Sequence, residues 1–193
     1  MQKVKEIQAD YLTAVSAFLR ITGKNKCLLE SIPRDKTKGR YSIIAWDPVT
    51  EITFYDQHLT IDGQTKKVKD PLQEIARYVL KPEALADELP FQGGAIGYVG
   101  YDVIACYEEL GQLPMDELNI PDIHFYLFDS FLIFDHVGET IFLVEANTYS
   151  QRSEEQLAQA LEEKSRELHQ PNNAEQKTIN LAQLNYQSNF TQA

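Results

Sequence analysis

Apolar and polar positions alternate over short stretches of the chain, a pattern typical of β-strands. The stretch 27–30 is apolar and ends on Glu30 and Ser31, and the β-branched and aromatic stretch 41–46 follows a polar, mostly basic connection. Similar runs predict further strands at 51–55, 58–61, 123–128, 131–135 and 140–145. The last three are apolar at most positions, which indicates a sheet covered on both faces.

Helical spacing of apolar residues predicts three helices between these strands. The first covers 9–21 with Asp10 as its cap, and the second covers 70–80, where Asp70 precedes a proline at the first helical position. Ser153 and Gln156 form the capping box of a third helix that ends at His169. Strands joined as meanders, without repeated β-α-β units, predict an α+β fold with antiparallel sheets.

The segment 89–109 interleaves glycines with aromatic residues. Glycines within a strand-like run mark bends or close approaches of another backbone, so we predict a bent strand that leads into a tyrosine-rich helix. The glycine spacing matches neither the dinucleotide-binding pattern nor a P-loop, which argues against a nucleotide site.

Composition narrows the class of protein. The chain has 193 residues, of which 43% are hydrophobic, enough for one or two domains, and a net charge of -11 argues against a nucleic-acid or membrane partner. Cys27 and Cys106 are too few and too far apart for a zinc site, and they suggest a reducing, cytoplasmic location. The apolar runs are too short to span a bilayer, which takes about 20 residues.

Catalytic chemistry is not evident in the sequence. The four histidines lack metal-ligand spacing, so no catalytic residue and no metal site is predicted. His136 beside Asp135 could act as an oriented base, although a histidine in a turn at a strand end is typically hydrogen-bonded or solvated. The basic connection after Glu30 and Ser31 could instead hold a zwitterion, with opposite charges for an amine and a carboxylate. The alternative is that Ser31 simply caps the end of a core strand.

Four motifs in this order and spacing resemble the amino-terminal region of anthranilate synthase component I: LLES, GRYSIIAWDP, FQGGAIGYVGYD and IPDIHFYLFDSFLIFDH. The resemblance extends from about residue 10 to residue 191. The large subunit of aminodeoxychorismate synthase, an enzyme of the folate pathway, is a close relative, and the intact LLES favours anthranilate synthase.

The resemblance implies a feedback site for L-tryptophan. Its predicted residues are Leu29, Glu30, Ser31, Arg40 and Tyr41. Ser31 would hydrogen-bond the ligand, Glu30 would bind its ammonium group or hold the loop, Arg40 would balance charge, and Tyr41 and the leucines would line the indole. The loop between the two strands differs in length within the family, so Arg34, Lys36 and Lys38 are left unassigned.

The resemblance also implies a longer enzyme, a lyase that converts chorismate and ammonia into anthranilate and pyruvate in the first committed step of tryptophan biosynthesis. Magnesium and the catalytic groups would lie in a carboxy-terminal chorismate-binding region, and a glutamine amidotransferase subunit, component II, would supply ammonia. We therefore predict that residues 1–170 are a regulatory and scaffolding region, and that residues 171–193 are a linker and the start of the catalytic region. On this view the fragment needs no cofactor and has no synthase activity of its own.

The family fold implied is a sandwich of two sheets with outer helices, completed by strands from the catalytic region. Apolar residues that would then lose cover predict self-association into a homo-oligomer; they are Phe125, Leu127, Phe131 and Ile133. Two alternatives are compatible with the sequence. The chain could be the matching part of aminodeoxychorismate synthase, with tryptophan as a tightly held structural ligand, or an interaction module whose glycine-rich aromatic run docks a partner.

Overall fold

The computed structural model describes residues 1–9, 12–30, 39–80, 89–111 and 116–171. Within these residues the strands are β1 (Gln2–Gln8), β2 (Cys27–Glu30), β3 (Tyr41–Ala45), β4 (Thr50–Tyr55), β5 (His58–Ile61), β6 (Gln64–Lys67), β7 (Gly94–Val99), β8 (Ile123–Phe128), β9 (Ser130–Asp135) and β10 (Thr140–Ala146). The helices are α1 (Ala14–Arg20), α2 (Pro71–Ala76) and α3 (Glu154–His169), together with a 3-10 helix (Tyr101–Cys106).

The strands form two antiparallel sheets of five strands each. The first sheet has the order β1-β10-β9-β3-β2, and the second has the order β6-β5-β4-β8-β7. β8 in the second sheet and β9 in the first are separated by Asp129 alone, so the chain passes directly from one sheet to the other. All strand pairs are antiparallel, as the meander pattern predicted.

Three apolar clusters define the layers of the fold. One cluster packs α1 and α3 against the outer face of the first sheet, and another packs α2 and the 3-10 helix against the second sheet. The third lies between the sheets and includes Ile133 from β9 and Phe128 and Ile96 from β8 and β7. The predicted α+β sandwich with outer helices is therefore confirmed.

Strand β9 lies at the centre of the first sheet, and all six of its residues are buried. The prediction of cover on both faces is confirmed for β9 and for β10, of which one residue is only partly buried. β8 belongs instead to the second sheet, and three of its six residues are only partly buried. Phe131 and Ile133 have no exposed surface and Leu127 is 2% exposed, while Phe125 is partly buried. The prediction that these side chains lose part of their cover was wrong for Leu127, Phe131 and Ile133, because the cluster between the sheets covers Phe131 and Ile133 and the cluster under the helices of the second sheet covers Leu127. Self-association remains a prediction without that support.

Local sequence signals place the helix starts. Asp70 caps α2 and the Ser153–Gln156 capping box begins α3, both as predicted. α1 begins later than predicted, at Ala14, and its cap is Thr13, whose side chain accepts a hydrogen bond from the backbone N–H of Ser16. α2 ends at Ala76, where a turn replaces the predicted helix to residue 80.

Two strands were not predicted. β1 pairs with β10, which is far from it in the sequence. Of the residues of β1, only Gln2 and Ile7 are buried, and its sequence has little apolar periodicity. β6 is fully exposed and follows a turn in which Asp62 and Gly63 adopt left-handed φ values of 47° and 81°. The sequence predicted no strand between β5 and the helix that begins near residue 70.

The glycine-rich segment contains a strand followed by a 3-10 helix, in the order that the sequence predicted. Gly97 is required by close packing, because a Cβ at this position would lie 1.9 Å from the backbone oxygen of His124. Gly93, the residue before β7, has a φ of 94°, a left-handed backbone conformation that favours glycine.

A buried ion pair joins β10 to the start of α3. Arg152 Nη1 lies 2.7 Å from Glu145 Oε2, and the same oxygen accepts a hydrogen bond from Ser130 Oγ at 2.7 Å. Glu145 is 1% exposed. Burial raises the pKa of Glu145, while the hydrogen bond from Ser130 and the charge of Arg152 act in the opposite direction.

Candidate functional site

The pairing of β2 with β3 puts the two residues Leu29 and Glu30 on opposite faces of the first sheet. Leu29 pairs with Ile43, which belongs to the cluster between the sheets, whereas Glu30 pairs with Ser42. Ile44, two residues after Ser42 and therefore on the same face of β3, lies in the cluster under the helices, as does Phe134, the β9 partner of Ser42. Because side chains alternate along a strand, Glu30 faces the helices and Leu29 faces the second sheet.

Glu30 lines a pocket beside the start of α1, which we call the helix-side pocket. It has a volume of about 460 Å³ and is lined by Ala9, Leu12, Thr13, Ala14, Glu30, Phe134, His136 and Glu139. Its walls combine apolar side chains with two carboxylates and one imidazole. Such a lining suits a ligand with an apolar body and a charged amine.

His136 is held in this pocket by the sheet. Its Nε2 lies 2.8 Å from the hydroxyl of Ser42, which has no exposed surface. Its ring stacks on Phe134 with 4.8 Å between the ring centroids, and its backbone N–H donates to the carbonyl oxygen of Arg40 at 2.8 Å. The histidine is thus oriented by Ser42 and Phe134, and not by Asp135 as the sequence suggested.

Arg40 forms an ion pair with Asp135. Its Nε donates to Asp135 Oδ1 at 2.9 Å and its Nη2 donates to Oδ2 at 2.6 Å, and Asp135 is 4% exposed. The hydrogen bond from Arg40, assisted by the backbone N–H groups of Gly138 and Val137, lowers the pKa of Asp135 to about 2 against the cost of burial. The guanidinium also lies 4.8 Å from the ring centroid of Tyr41. The charge of Arg40 is thus engaged by Asp135 and by the ring of Tyr41, within the folded chain.

The structure therefore separates the predicted site residues. Glu30 lines the helix-side pocket, whereas Tyr41 packs against the cluster between the sheets and Leu29, which is 49% exposed, lies on that same side of the strand. Ser31 lies outside the described residues, as do Arg34, Lys36 and Lys38.

Among the residues that line the helix-side pocket but were not predicted as site residues are Leu12, Phe134, His136 and Glu139. Because side chains alternate between the two faces along a strand, the side chains of the adjacent residues Leu29 and Glu30 were expected to point in opposite directions. The proximity of β9 could not be inferred, because it depends on the non-local pairing of β3 with β9.

No three His, Cys, Asp or Glu side chains converge to hold a metal ion in the part of the chain that the structure describes. Within the same residues, no helix is both long and apolar enough to cross a bilayer. Cys27 and Cys106 are both free thiols.

Comparison with known proteins gives the family. Residues 24–193 match the family model described as chorismate binding enzyme. The chain belongs to the chorismate-binding enzyme family. It is 41% identical to anthranilate synthase component 1 of Lactococcus lactis over 194 residues, covering 100% of this chain and 42% of that protein. It is 36% identical to aminodeoxychorismate synthase component 1 of Bacillus subtilis over 126 residues, covering 63% of this chain and 26% of that protein.

A solved structure of this family has the same fold. The chain superposes on the crystal structure of anthranilate synthase component I from Streptococcus pneumoniae with a TM-score of 0.65 and 42% identity, covering 86% of this chain and 36% of that one. The chain thus spans less than half the length of these relatives. It is an anthranilate synthase component I-like chorismate-binding region.

Proposed function

We propose that this chain is the tryptophan-binding regulatory part of an anthranilate synthase component I, and that L-tryptophan binds in the helix-side pocket. The observation that carries the proposal is the position of Glu30, which belongs to the predicted effector motif and lines a pocket of about 460 Å³. The identity of 41% over the whole chain to the Lactococcus lactis protein supports the choice of enzyme.

The pocket chemistry fits an aromatic amino acid. The carboxylates of Glu30 and Glu139 would bind the ammonium group, since charge-assisted hydrogen bonds are the strong ones. Leu12 and Phe134 would pack against the indole. Among the predicted residues that the structure describes, this proposal leaves Glu30 as the direct contact, while Leu29, Arg40 and Tyr41 would support the strands from the opposite side.

The enzymatic reaction is proposed for the longer protein. In that longer protein, a catalytic region would act on chorismate with magnesium, and component II would supply ammonia. Tryptophan would inhibit by binding preferentially to an inactive arrangement of the two regions, because a ligand shifts an equilibrium only through its different affinities for the two states.

Binding is tested by isothermal titration calorimetry of the 193-residue chain with L-tryptophan. Glu30→Gln removes one charged partner of the ammonium group and should weaken binding roughly tenfold or more, since a hydrogen bond to a charged group contributes about 1.5–3 kcal/mol. Glu6→Gln is the matched control, because Glu6 is an exposed carboxylate on β1 outside the pocket. The site assignment is refuted if the wild-type chain does not bind tryptophan or if Glu30→Gln binds it as tightly as wild type.

Regulation is tested in a hybrid enzyme in which this chain replaces the matching part of the Lactococcus lactis protein. Tryptophan should inhibit the hybrid, and Glu30→Gln should raise the concentration needed for half inhibition. The chain alone, incubated with chorismate, magnesium and ammonia, should give no anthranilate fluorescence; any turnover that exceeds a protein-free blank contradicts this part of the proposal.

The relatives from Bacillus subtilis and Escherichia coli support aminodeoxychorismate synthase as a second candidate. In that case tryptophan would be a structural ligand that stays bound. Extensive dialysis separates the two candidates: an exchangeable effector is lost and rebinds, whereas a structural ligand is retained.

A further inference from the structure

A second pocket lies between α3 and the first sheet, and we call it the α3 pocket. It has a volume of about 390 Å³ and shares no lining residue with the helix-side pocket. Trp46, Val49 and Ala160 contribute apolar surface to its lining, and Ser130 and Glu145 contribute polar atoms. Trp46 and Glu145 are each only 1% exposed. The α3 pocket therefore reaches two side chains that belong to the interior of the fold.

Glu145 has one carboxylate oxygen that the fold does not use. Oε2 accepts hydrogen bonds from Ser130 Oγ and Arg152 Nη1, both at 2.7 Å, whereas Oε1 has no hydrogen-bond partner within the described residues. In the same residues, Arg20 Nε is the only buried side-chain polar atom that lacks both a partner and contact with solvent. Oε1 is therefore accessible, and the opening that Glu145 lines is the α3 pocket. A charged hydrogen-bond acceptor thus faces this pocket.

The indole N–H of Trp46 is in the same situation. It has no acceptor within the part of the chain that the structure describes, and it is not among the unpaired atoms there that lack contact with solvent. Because buried polar groups are normally paired, an unpaired donor on a side chain that is 1% exposed is unusual. Glu145 Oε1 and Trp46 Nε1–H thus offer one acceptor and one donor to a molecule in the α3 pocket.

The charges around the α3 pocket favour a cation. Both cationic side chains of the lining are already paired, Arg152 with Glu145 and Lys164 with a carboxylate of α3. Asp47 and Glu163 also line the pocket, and neither forms an ion pair within the described residues. The excess negative charge attracts a cationic ligand and repels an anionic one.

We propose that the α3 pocket binds a small organic ammonium ion that carries a hydroxyl group, with the ammonium donating to Glu145 Oε1 and the hydroxyl oxygen accepting from Trp46 Nε1–H. An ammonium group has only donors, and its hydrogen bond to a carboxylate is charge-assisted. A hydroxyl oxygen supplies the acceptor that the indole N–H lacks. The short apolar part of the ligand packs against Val49 and Ala160. This site is separate from the proposed tryptophan site and does not depend on it.

Trp46 is the only tryptophan of the chain, so its fluorescence reports on the α3 pocket. The test is titration of the wild-type chain with ethanolamine at neutral pH and constant ionic strength. The emission should change saturably, with a dissociation constant in the millimolar range, as expected for so small a ligand. Ethylene glycol lacks the ammonium group and should bind at least about tenfold more weakly. Ethylamine lacks the hydroxyl group and should bind about threefold more weakly.

Variants of the lining separate recognition from folding. Glu145→Gln keeps the shape of the side chain but removes its charge, and should weaken ethanolamine binding at least about tenfold. Ala160→Leu fills part of the pocket without removing any polar group, and should weaken binding to a similar extent. Ala158→Leu is the matched control, because it makes the same change on α3 outside the pocket, and it should keep the wild-type affinity.

Each outcome bears on one part of the proposal. A wild-type signal that does not saturate, or that sodium chloride reproduces, overturns the site as a whole. Equal binding of ethylene glycol and ethanolamine refutes recognition by the Glu145 charge, and equal binding of ethylamine refutes the contact with the indole N–H. If circular dichroism shows that Glu145→Gln does not fold, the two alanine variants decide, and wild-type affinity in Ala160→Leu refutes the site. None of these results changes the expected calorimetric binding of L-tryptophan in the helix-side pocket.

Discussion

The ion pair between Arg40 and Asp135 should stabilise the fold in a pH-dependent way. The pKa of Asp135 is lowered from 3.8 to about 2, chiefly by the hydrogen bond from Arg40. A tenfold change in proton affinity is worth about 1.4 kcal/mol, so this depression is worth at most about 2.5 kcal/mol. The Arg40 side chain is 51% exposed, and solvent screening reduces this contribution. We expect Arg40→Gln to lower the free energy of unfolding by roughly 1–2 kcal/mol near neutral pH.

The sign of the pH dependence follows from the lowered pKa. The contribution of a carboxyl group with a depressed folded-state pKa is present above its unfolded value and is lost as the pH falls through the folded-state value. Urea unfolding of wild type and Arg40→Gln at about pH 6 and about pH 2 should therefore show a difference at the higher pH that shrinks at the lower one. Arg77→Gln, which removes an exposed ion pair with Glu74, is the control and should change little at either pH. An equal loss for Arg40→Gln at both pH values would refute the electrostatic explanation.

Two further predictions concern the core. Arg152→Met leaves Glu145 buried without its cation and should cost roughly 3 kcal/mol; because burial raises the pKa of Glu145, the loss of thermal stability should be smaller at about pH 5 than at about pH 7. An equal loss at both pH values would argue against an effect of the carboxylate charge. Gly97→Ala brings a methyl group into the backbone oxygen of His124 and should destabilise the chain by roughly 2 kcal/mol or more in urea unfolding. If the variant were as stable as wild type, the prediction would be wrong, because β7, at the edge of its sheet, would then move to make room for the methyl group.

Strong local signals were sufficient to predict much of the fold. The capping box at Ser153, the Asp70 cap and the apolar runs of β8, β9 and β10 determine their elements through neighbouring residues, and the structure agrees. β1 escaped prediction because its partner lies at the other end of the described chain, and pairing there stabilises a strand with few apolar residues. Tertiary context of this kind overrides weak propensity.

The candidate site was predicted only in part, for a geometric reason. A sequence motif treats adjacent residues such as Leu29 and Glu30 as parts of one site. In a strand, however, the side chains of adjacent residues point to opposite faces of the sheet. The residues that share the pocket with Glu30 come from the start of α1 and from the end of β9. Their convergence requires the β2-β3-β9 pairing, which no local pattern encodes.

The pairing of β1 with β10 also constrains the order of events during synthesis. Gln2 is registered with Ala146 and Gln8 with Thr140, so the first strand made has to wait for the last strand of its sheet. At about 5–20 residues per second that delay is on the order of 10 s. During this time Val4 and Ile7 remain without the strand that they pair with in the folded protein. The first sheet can therefore be completed only once β10 has emerged from the ribosome, whereas β2 and β3 can pair much earlier.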